Sequence, residues 1–109
     1  MAQINWDDFE KVEIRIGTIV KAEKFPEAKK PAYKLTIDFG DCVKKSSVQI
    51  TALYKKEEMI GRQVVCVTNF PPKQIANFMS ECLTTGFLTE QGVVLLQPER
   101  KVPNGLRVM

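Results

Sequence analysis

The stretch Val12-Glu13-Ile14-Arg15-Ile16-Gly17-Thr18-Ile19-Val20-Lys21-Ala22-Glu23 alternates apolar and polar side chains over most of its length. A period of two residues is typical of a strand that buries one face. The buried face is expected to carry Val12, Ile14, Ile16, Val20 and Ala22, and the opposite face Glu13, Arg15, Lys21 and Glu23. Gly17 interrupts the pattern, and a glycine inside a strand permits the sharp bend by which one strand joins two sheets. The sequence therefore predicts a long, coiled first strand.

Five further strands are predicted downstream. Residues 33–39 alternate in the same way, and a Gly-Asp turn leads into a third strand over residues 43–49. Residues 63–69 contain a continuous apolar run, which is typical of a buried strand. Two prolines then end the ladder, because proline cannot donate a backbone hydrogen bond. Residues 81–87 and 93–97 are predicted as the fifth and sixth strands.

Two short helices are also predicted. Residues 6–11 follow Asn5, which can cap a helix, and acidic residues in this segment suit the positive end of the helix dipole. Residues 50–60 have a helical composition, and Gly61 is a suitable stop signal.

The predicted order of elements is that of the OB-fold barrel: three strands of which the first is coiled, then a short helix, then two or three further strands. We therefore expect an all-β fold, a five- to six-stranded OB barrel with a short N-terminal helix and a helix between strands 3 and 4. A chain of 109 residues is long enough for one core but not for two, so residues 1–109 are expected to form a single domain. OB-folds bind oligonucleotides and oligosaccharides, which favours a binding protein by analogy.

The composition argues against several classes of function. The chain has no histidine, and it therefore lacks the commonest general base and metal ligand. Its three cysteines, Cys42, Cys66 and Cys82, have neither a zinc spacing nor a disulfide pattern. We expect no enzymatic activity, no metal and no cofactor. No apolar stretch reaches the length of a membrane span and no signal-peptide pattern is present, so we expect a cytoplasmic protein without membrane insertion.

Basic residues mark a candidate phosphate-binding surface. The formal net charge of +3 permits nucleic-acid binding without requiring it. The lysines fall into three groups, which are Lys29, Lys30 and Lys34, then Lys44 and Lys45, and finally Lys73. On an OB barrel the first two groups would lie on or beside the ligand-binding face. The alternative interpretation is a solvated lysine-rich surface that neighbouring carboxylates balance.

The segment around the two prolines offers a second kind of binding. Its apolar residues could form a groove for an extended peptide, or simply a packed loop or a dimer contact. These residues are Pro71, Pro72, Ile75, Phe78 and Met79. Phe25, Tyr33, Phe70 and Phe78 are candidates for stacking on bases, although such rings can equally cap the core. Three serines, Ser46, Ser47 and Ser80, have no histidine to activate them and are interpreted as hydrogen-bond donors to phosphate or base edges.

Several stretches together resemble a known family. Residues 8–20 resemble the opening of the stand-alone tRNA-binding domain family, which is also found appended to methionyl-tRNA synthetases and in EMAP-II-like cytokines. Within it, the chain is similar to the CsaA group of bacterial and archaeal secretion chaperones. The stretches that carry this similarity are residues 25–28, 31–35, 46–51, 69–72, 94–99 and 102–105. The resemblance covers nearly the whole chain.

The resemblance implies an OB-fold homodimer that binds structured tRNA and unfolded, export-bound polypeptides. The implied dimer contacts are Trp6, Phe9, Leu106 and Val108. The residues expected to bind RNA are Lys34, Lys44, Lys73, Gln74, Ser80 and Leu83, and those expected to bind peptide are Phe70, Phe78 and Met79. The alternatives are a tRNA-binding protein without a chaperone role and a domain that only dimerises partner proteins.

Two positions depart from the family pattern. Gln74 stands where relatives usually carry a second basic residue, and the loss of a positive charge should weaken phosphate attraction. Asn77 stands where relatives usually carry glycine before the serine. Because asparagine tolerates the left-handed backbone conformation, the turn can survive this change.

Overall fold

The structure is a computed structural model that describes residues 1–109. Its elements in chain order are α1 (Trp6–Glu10), β1 (Ile14–Lys24), β2 (Tyr33–Asp38), β3 (Val43–Val48), a 3-10 turn (Lys56–Glu58), β4 (Gln63–Val67), β5 (Lys73–Ile75), β6 (Phe78–Ser80), β7 (Leu83–Thr84), β8 (Gly86–Thr89) and β9 (Gly92–Leu95). The main sheet has five antiparallel strands in the order β3-β2-β1-β4-β7 and curls into a nearly closed barrel of the OB type, as predicted.

Hydrogen bonds between β3 and the chain just before β7 close most of the remaining gap. The Glu81 N–H donates to the Lys45 carbonyl (2.7 Å), and the Lys45 N–H donates to the Glu81 carboxylate (2.9 Å). On the inner face, the Ser46 hydroxyl donates to the Cys82 carbonyl (3.1 Å). These bonds satisfy part of the β3 edge, which would otherwise be available for pairing with another strand.

The first strand contains a bulge just after Ile19. The register of β1 against β2 shifts between Ile19 and Lys21. Ile19, just before the bulge, is fully buried, whereas Val20, within the bulge, is 49% exposed. The prediction that Val20 lies on the buried face is therefore wrong, and Val12 is also exposed at the start of the strand.

Gly17 has a packing role in the barrel. A Cβ atom at this position would lie 2.6 Å from Ile37 Cγ2 and 2.8 Å from a ring carbon of Phe39. Both neighbours are fully buried in the barrel core, so neither can move aside without disturbing its packing. The absence of a side chain at Gly17 is what allows β1 to lie directly against Phe39.

The two predicted helices have different outcomes. The N-terminal helix is present, and the Asn5 side chain accepts a hydrogen bond from the Asp8 N–H (3.0 Å) while the Asp8 carboxylate accepts from the Asn5 N–H (3.2 Å). The predicted helix over residues 50–60 is wrong, since only the 3-10 turn forms there. Ile50 and Met59 are both fully buried in the core, and this burial outweighs the helical propensity of the segment. No helix has the length and hydropathy needed to cross a bilayer.

The predicted fifth strand is divided into two elements. Thr85 separates β7 from β8, and its hydroxyl donates to the Val65 carbonyl (2.7 Å). β8 does not continue in the main sheet and instead pairs with β9 as a separate hairpin. Leu95, at the end of β9, returns to the core, and its N–H donates to the Tyr54 hydroxyl (3.1 Å).

The C-terminal tail lies along β1 and is held by Arg15. Backbone hydrogen bonds connect residues 105–108 to Ile14 and Ile16. The Arg15 guanidinium donates to the Gly105 carbonyl (3.0 Å) and forms an ion pair with Asp41 (2.7 Å). The hydrogen bond from Arg15 lowers the pKa of the Asp41 carboxyl. The tail is therefore fixed to the barrel by both backbone and side-chain contacts.

Candidate nucleic-acid interface

The segment after β4 forms a short hairpin of β5 and β6 that lies beside β3. Asn69 fixes the start of this segment, because its side chain accepts from the Glu13 N–H (2.9 Å) and donates to the Lys11 carbonyl (2.7 Å). At the other end, the Ser80 hydroxyl accepts a hydrogen bond from the Ser47 N–H of β3 (3.1 Å). The hairpin is therefore attached to the barrel at both ends.

The hairpin turn contains a strained residue. Ala76 has φ = +52°, the left-handed conformation that costs a non-glycine residue roughly 1–2 kcal/mol. The sequence directed attention to Asn77 as the residue that would tolerate this conformation, but Asn77 has negative φ and the strain falls on Ala76. The strain persists because the pairing of β5 with β6 fixes the turn between them.

Two lysines and two serines form a row across the barrel surface. Lys34 pairs with Ser47 in the β2–β3 ladder, and Ser80 pairs with Lys73 in the hairpin. The Ser47 N–H joins the two halves by donating to the Ser80 hydroxyl (3.1 Å). Neither lysine has an ion-pair partner among the chain's five salt bridges, which leaves both ammonium groups available to an anionic ligand.

A groove of about 600 Å³ lies between the hairpin and the end of β3. Its lining is mostly apolar and contains a single charged side chain, that of Lys73. The lining residues are Ser47, Gln49, Phe70, Pro71, Lys73, Ile75, Ser80, Cys82 and Leu83. Both Phe70 (54% exposed) and Leu83 (50% exposed) present much of their surface to solvent. The groove therefore combines an apolar surface with one cation and two hydroxyl groups.

Lys34 is held in place by two aromatic rings. Its ammonium lies 5.4 Å from the centroid of Phe25 and 5.9 Å from that of Phe78. The two rings contact each other edge to face, with 5.5 Å between centroids. Phe25 is buried and Phe78 is half-buried, so Phe78 secures the hairpin to the first loop of the barrel. Cation–π attraction orients Lys34 next to the row while leaving its charge unpaired.

The structure brings together part of the predicted site. Phe70, Lys73, Ser80 and Leu83 line the groove, and Lys34 lies in the adjoining row. Gln74 pairs with Met79 on the other side of the hairpin, because neighbouring residues of a strand point to opposite faces. Neither Gln74 nor Met79 is part of the groove lining.

Lys44 is also separated from the row. On β3, Lys44 shares its face with Ser46 and Val48, both of which are buried inside the barrel. Lys45 is two residues from Ser47, so both side chains point to the outer face, and Lys45 is exposed next to the row. The alternation of residues along β3 is a sequence signal that favours Lys45 over Lys44. Ser47, one of the expected hydrogen-bond donors, lies in the row, whereas Phe25, a candidate for stacking on bases, is buried against Phe78.

A buried polar cluster supports the floor of the groove. The Thr84 hydroxyl donates to the Ser46 hydroxyl (2.9 Å), and the sulfur of Cys66 lies 3.7 Å from the Thr84 hydroxyl. The hydrogen bond with Cys82 and burial both raise the pKa of the Cys66 thiol. The thiol is therefore neutral near pH 7 and acts as a small packed side chain.

Three of the four predicted dimer contacts, Trp6, Phe9 and Val108, line one groove on another part of the surface. Trp6 and Phe9 contact each other with 5.3 Å between ring centroids, and they line a shallow groove of about 220 Å³ with Val108. Trp6 (65%), Leu106 (52%) and Val108 (42%) are exposed. This grouping of apolar side chains is larger than an isolated surface residue and is typical of a contact with another protein.

The sequence of the chain is similar to those of known tRNA-binding domains. The chain matches the family described as a putative tRNA binding domain over residues 14–107. The chain belongs to this tRNA-binding domain family. The methionine–tRNA ligase of Archaeoglobus fulgidus is 37% identical over 106 residues, which cover 97% of this chain but 16% of the ligase. The chain spans only 14–17% of the length of the curated ligases that it matches, and their ligase activity is not carried over to it.

Solved structures place this family member near proteins named CsaA. The chaperone CsaA of Bacillus anthracis is 48% identical with a TM-score of 0.93, and the match covers 99% of this chain and all of that one. The CsaA chaperone protein of Picrophilus torridus is 50% identical with a TM-score of 0.91, and the match covers 98% and 100%. Within the tRNA-binding domain family, the chain is therefore CsaA-like.

Proposed function

We propose that this protein binds tRNA through the lysine–serine row and the adjoining groove. The observation that carries the proposal is the alignment of Lys34, Ser47, Ser80 and Lys73 across four strands of a tRNA-binding domain. The two lysines would neutralise phosphates, and the Ser47 hydroxyl would donate to a phosphate or sugar oxygen. Lys45, exposed beside the row, supplies a third cation.

The apolar part of the groove supports a second activity. Phe70, Ile75 and Leu83 offer a surface to an extended, unfolded polypeptide, while Lys73 lies among them. The similarity to chaperones named CsaA favours the same activity. We propose that the protein holds export-bound polypeptides in addition to binding tRNA. A tRNA-binding protein without this chaperone role is the second candidate, since the polar row alone supports it.

The proposal includes a homodimer in the cytoplasm. Trp6, Phe9, Leu106 and Val108 supply the apolar surface that a second copy would cover. Two copies would present the row twice, so a bent ligand such as tRNA would gain avidity. Sedimentation equilibrium of the wild type and of Trp6→Glu checks this point. A dimer that becomes a monomer on this substitution supports it, and a wild-type monomer contradicts it.

A binding titration at two salt concentrations tests the main proposal. Bulk tRNA and a denatured preprotein are titrated separately at low and at moderate ionic strength. Binding of tRNA should weaken steeply with salt because phosphate contacts release counterions, whereas apolar binding of the preprotein should change little. If tRNA does not bind at either salt concentration, the tRNA assignment is overturned. Binding of tRNA without any binding of the preprotein would favour the second candidate.

A further inference from the structure

The edge of β3 is satisfied by side chains along part of its length and is open where it reaches the groove. The Lys45 N–H donates to the Glu81 carboxylate and the Ser47 N–H donates to the Ser80 hydroxyl, so both point away from β2. A strand residue directs its N–H and its carbonyl to the same side. The Ser47 carbonyl therefore faces the same edge, and no group of the chain donates to it.

Gln49 continues this open edge. It lies one residue beyond the end of β3, where the Ile50 N–H donates to the Val48 carbonyl (3.1 Å), and its own N–H has no hydrogen-bond partner in the protein. Ser47 and Gln49 both line the groove. One acceptor and one donor of a strand edge thus lie at the side of a mostly apolar cleft. An unpaired strand edge is a ready template for an additional strand.

The spacing of the two groups fits a strand that runs parallel to β3. In a parallel ladder a single residue donates to the carbonyl of one partner residue and accepts from the N–H two positions further along. Ser47 and Gln49 have this separation.

The side-chain lining indicates the chemistry of the ligand. Phe70, Ile75 and Leu83 are suited to alternate apolar side chains of an extended peptide. Lys73 is the only charged residue of the groove, and it has no carboxylate partner within the chain. A carboxylate on the peptide would complement this charge.

From these observations we infer that the groove binds an extended peptide by β-strand addition to the edge of β3, at Ser47 and Gln49. The peptide carries apolar side chains at alternate positions and an acidic residue next to Lys73. This inference rests on the proposed polypeptide-binding function and specifies its geometry. Backbone hydrogen bonds supply affinity that is largely independent of sequence, which suits a protein that must accept many unfolded chains.

The first experiment removes the donor at Gln49. Proline has no N–H, so Gln49→Pro should weaken binding of a nine-residue peptide of alternating leucine and threonine with one glutamate by about two- to tenfold. Gln49→Ala keeps the N–H and should retain more affinity for the peptide than Gln49→Pro. Equal affinity of Gln49→Pro and Gln49→Ala would overturn the inference, provided that both fold as judged by circular dichroism.

The second experiment leaves the protein unchanged and so does not depend on the folding of a variant. Single N-methyl groups are placed at each peptide position in turn, and affinity is measured by fluorescence anisotropy. The open edge offers one acceptor, the Ser47 carbonyl, so one peptide N–H should be sensitive to N-methylation, while the N–H groups on either side of it face away and should tolerate it. A scan in which no single position stands out from its two neighbours overturns the strand addition, even if a denatured preprotein still binds. No binding of any peptide or preprotein overturns the polypeptide half of the proposed function as well, while tRNA binding is judged separately.

Discussion

Replacement of Lys73 by glutamine should change the salt dependence of tRNA binding in a predictable way. Lys73 lies at the end of the row and is unpaired, as are Lys34 and Lys45. If these three cations each neutralise one phosphate, the slope of log K against log salt should be about −2 to −3 for one site. Lys73→Gln should reduce the magnitude of this slope by about 0.7–0.9.

The assay is a filter-binding or anisotropy titration of bulk tRNA between 50 and 200 mM salt. Over this fourfold range the wild type should lose about 20- to 40-fold in affinity, and Lys73→Gln about 7- to 12-fold. Lys101→Gln is the matched control, because it removes an equal charge from a separate groove lined by residues 58–63 and 97–101. An unchanged slope for Lys73→Gln, or an equal change for Lys101→Gln, would refute the assignment of Lys73 to the phosphate contacts.

Three further predictions concern stability, each measured by urea unfolding. Gly17→Ala should lower the free energy of unfolding by about 1–3 kcal/mol, since its Cβ would lie 2.6 Å from Ile37 Cγ2, and an unchanged value would contradict the packing role. Ala76→Gly should raise it by about 1 kcal/mol through relief of the left-handed strain, and a decrease would argue against that conformation. Since Arg15 lowers the pKa of Asp41 in the folded protein, this ion pair stabilises the fold at neutral pH and its contribution is lost as the pH falls below about 4. Asp41→Asn should therefore be less stable than the wild type at pH 7, and the difference should shrink in acid.

The barrel could be predicted from the sequence because its strands bury one face. Tyr33, Leu35 and Ile37 are buried in alternation, and this period is visible without coordinates. The bulge after Ile19 was not predictable, because nothing in the local pattern distinguishes an extra residue from a change of face. The prediction assumed an uninterrupted period of two residues and therefore placed Val20 on the wrong side of the strand.

The failed helix has a different cause. Residues 50–60 have a composition that favours a helix, but propensity is a weak force compared with the burial of Ile50 and Met59 at the two ends of the segment. The chain must reach two positions in the core within eleven residues, and it does so through an irregular path with one 3-10 turn. Only the tertiary arrangement of the barrel supplies this constraint.

The candidate site was predicted in part. The sequence marked Lys34, Lys73 and Ser80, which the structure places in one row. It also marked Lys44, whose face depends on the exact register of β3 and is the inner one. The contact of Phe25 with Phe78 joins residues 53 positions apart in the chain, and no local pattern predicts such a pair.

The most direct test of the proposed interface is to map it by amide NMR on addition of tRNA at low salt. If tRNA binds to the lysine–serine row, signals of residues 73–80 and of Lys45 and Ser47 should shift or broaden first. Signals of residues 97–101, in the separate polar groove, should stay unchanged. Shifts confined to residues 97–101, with the hairpin and β3 unaffected, would contradict the proposed interface.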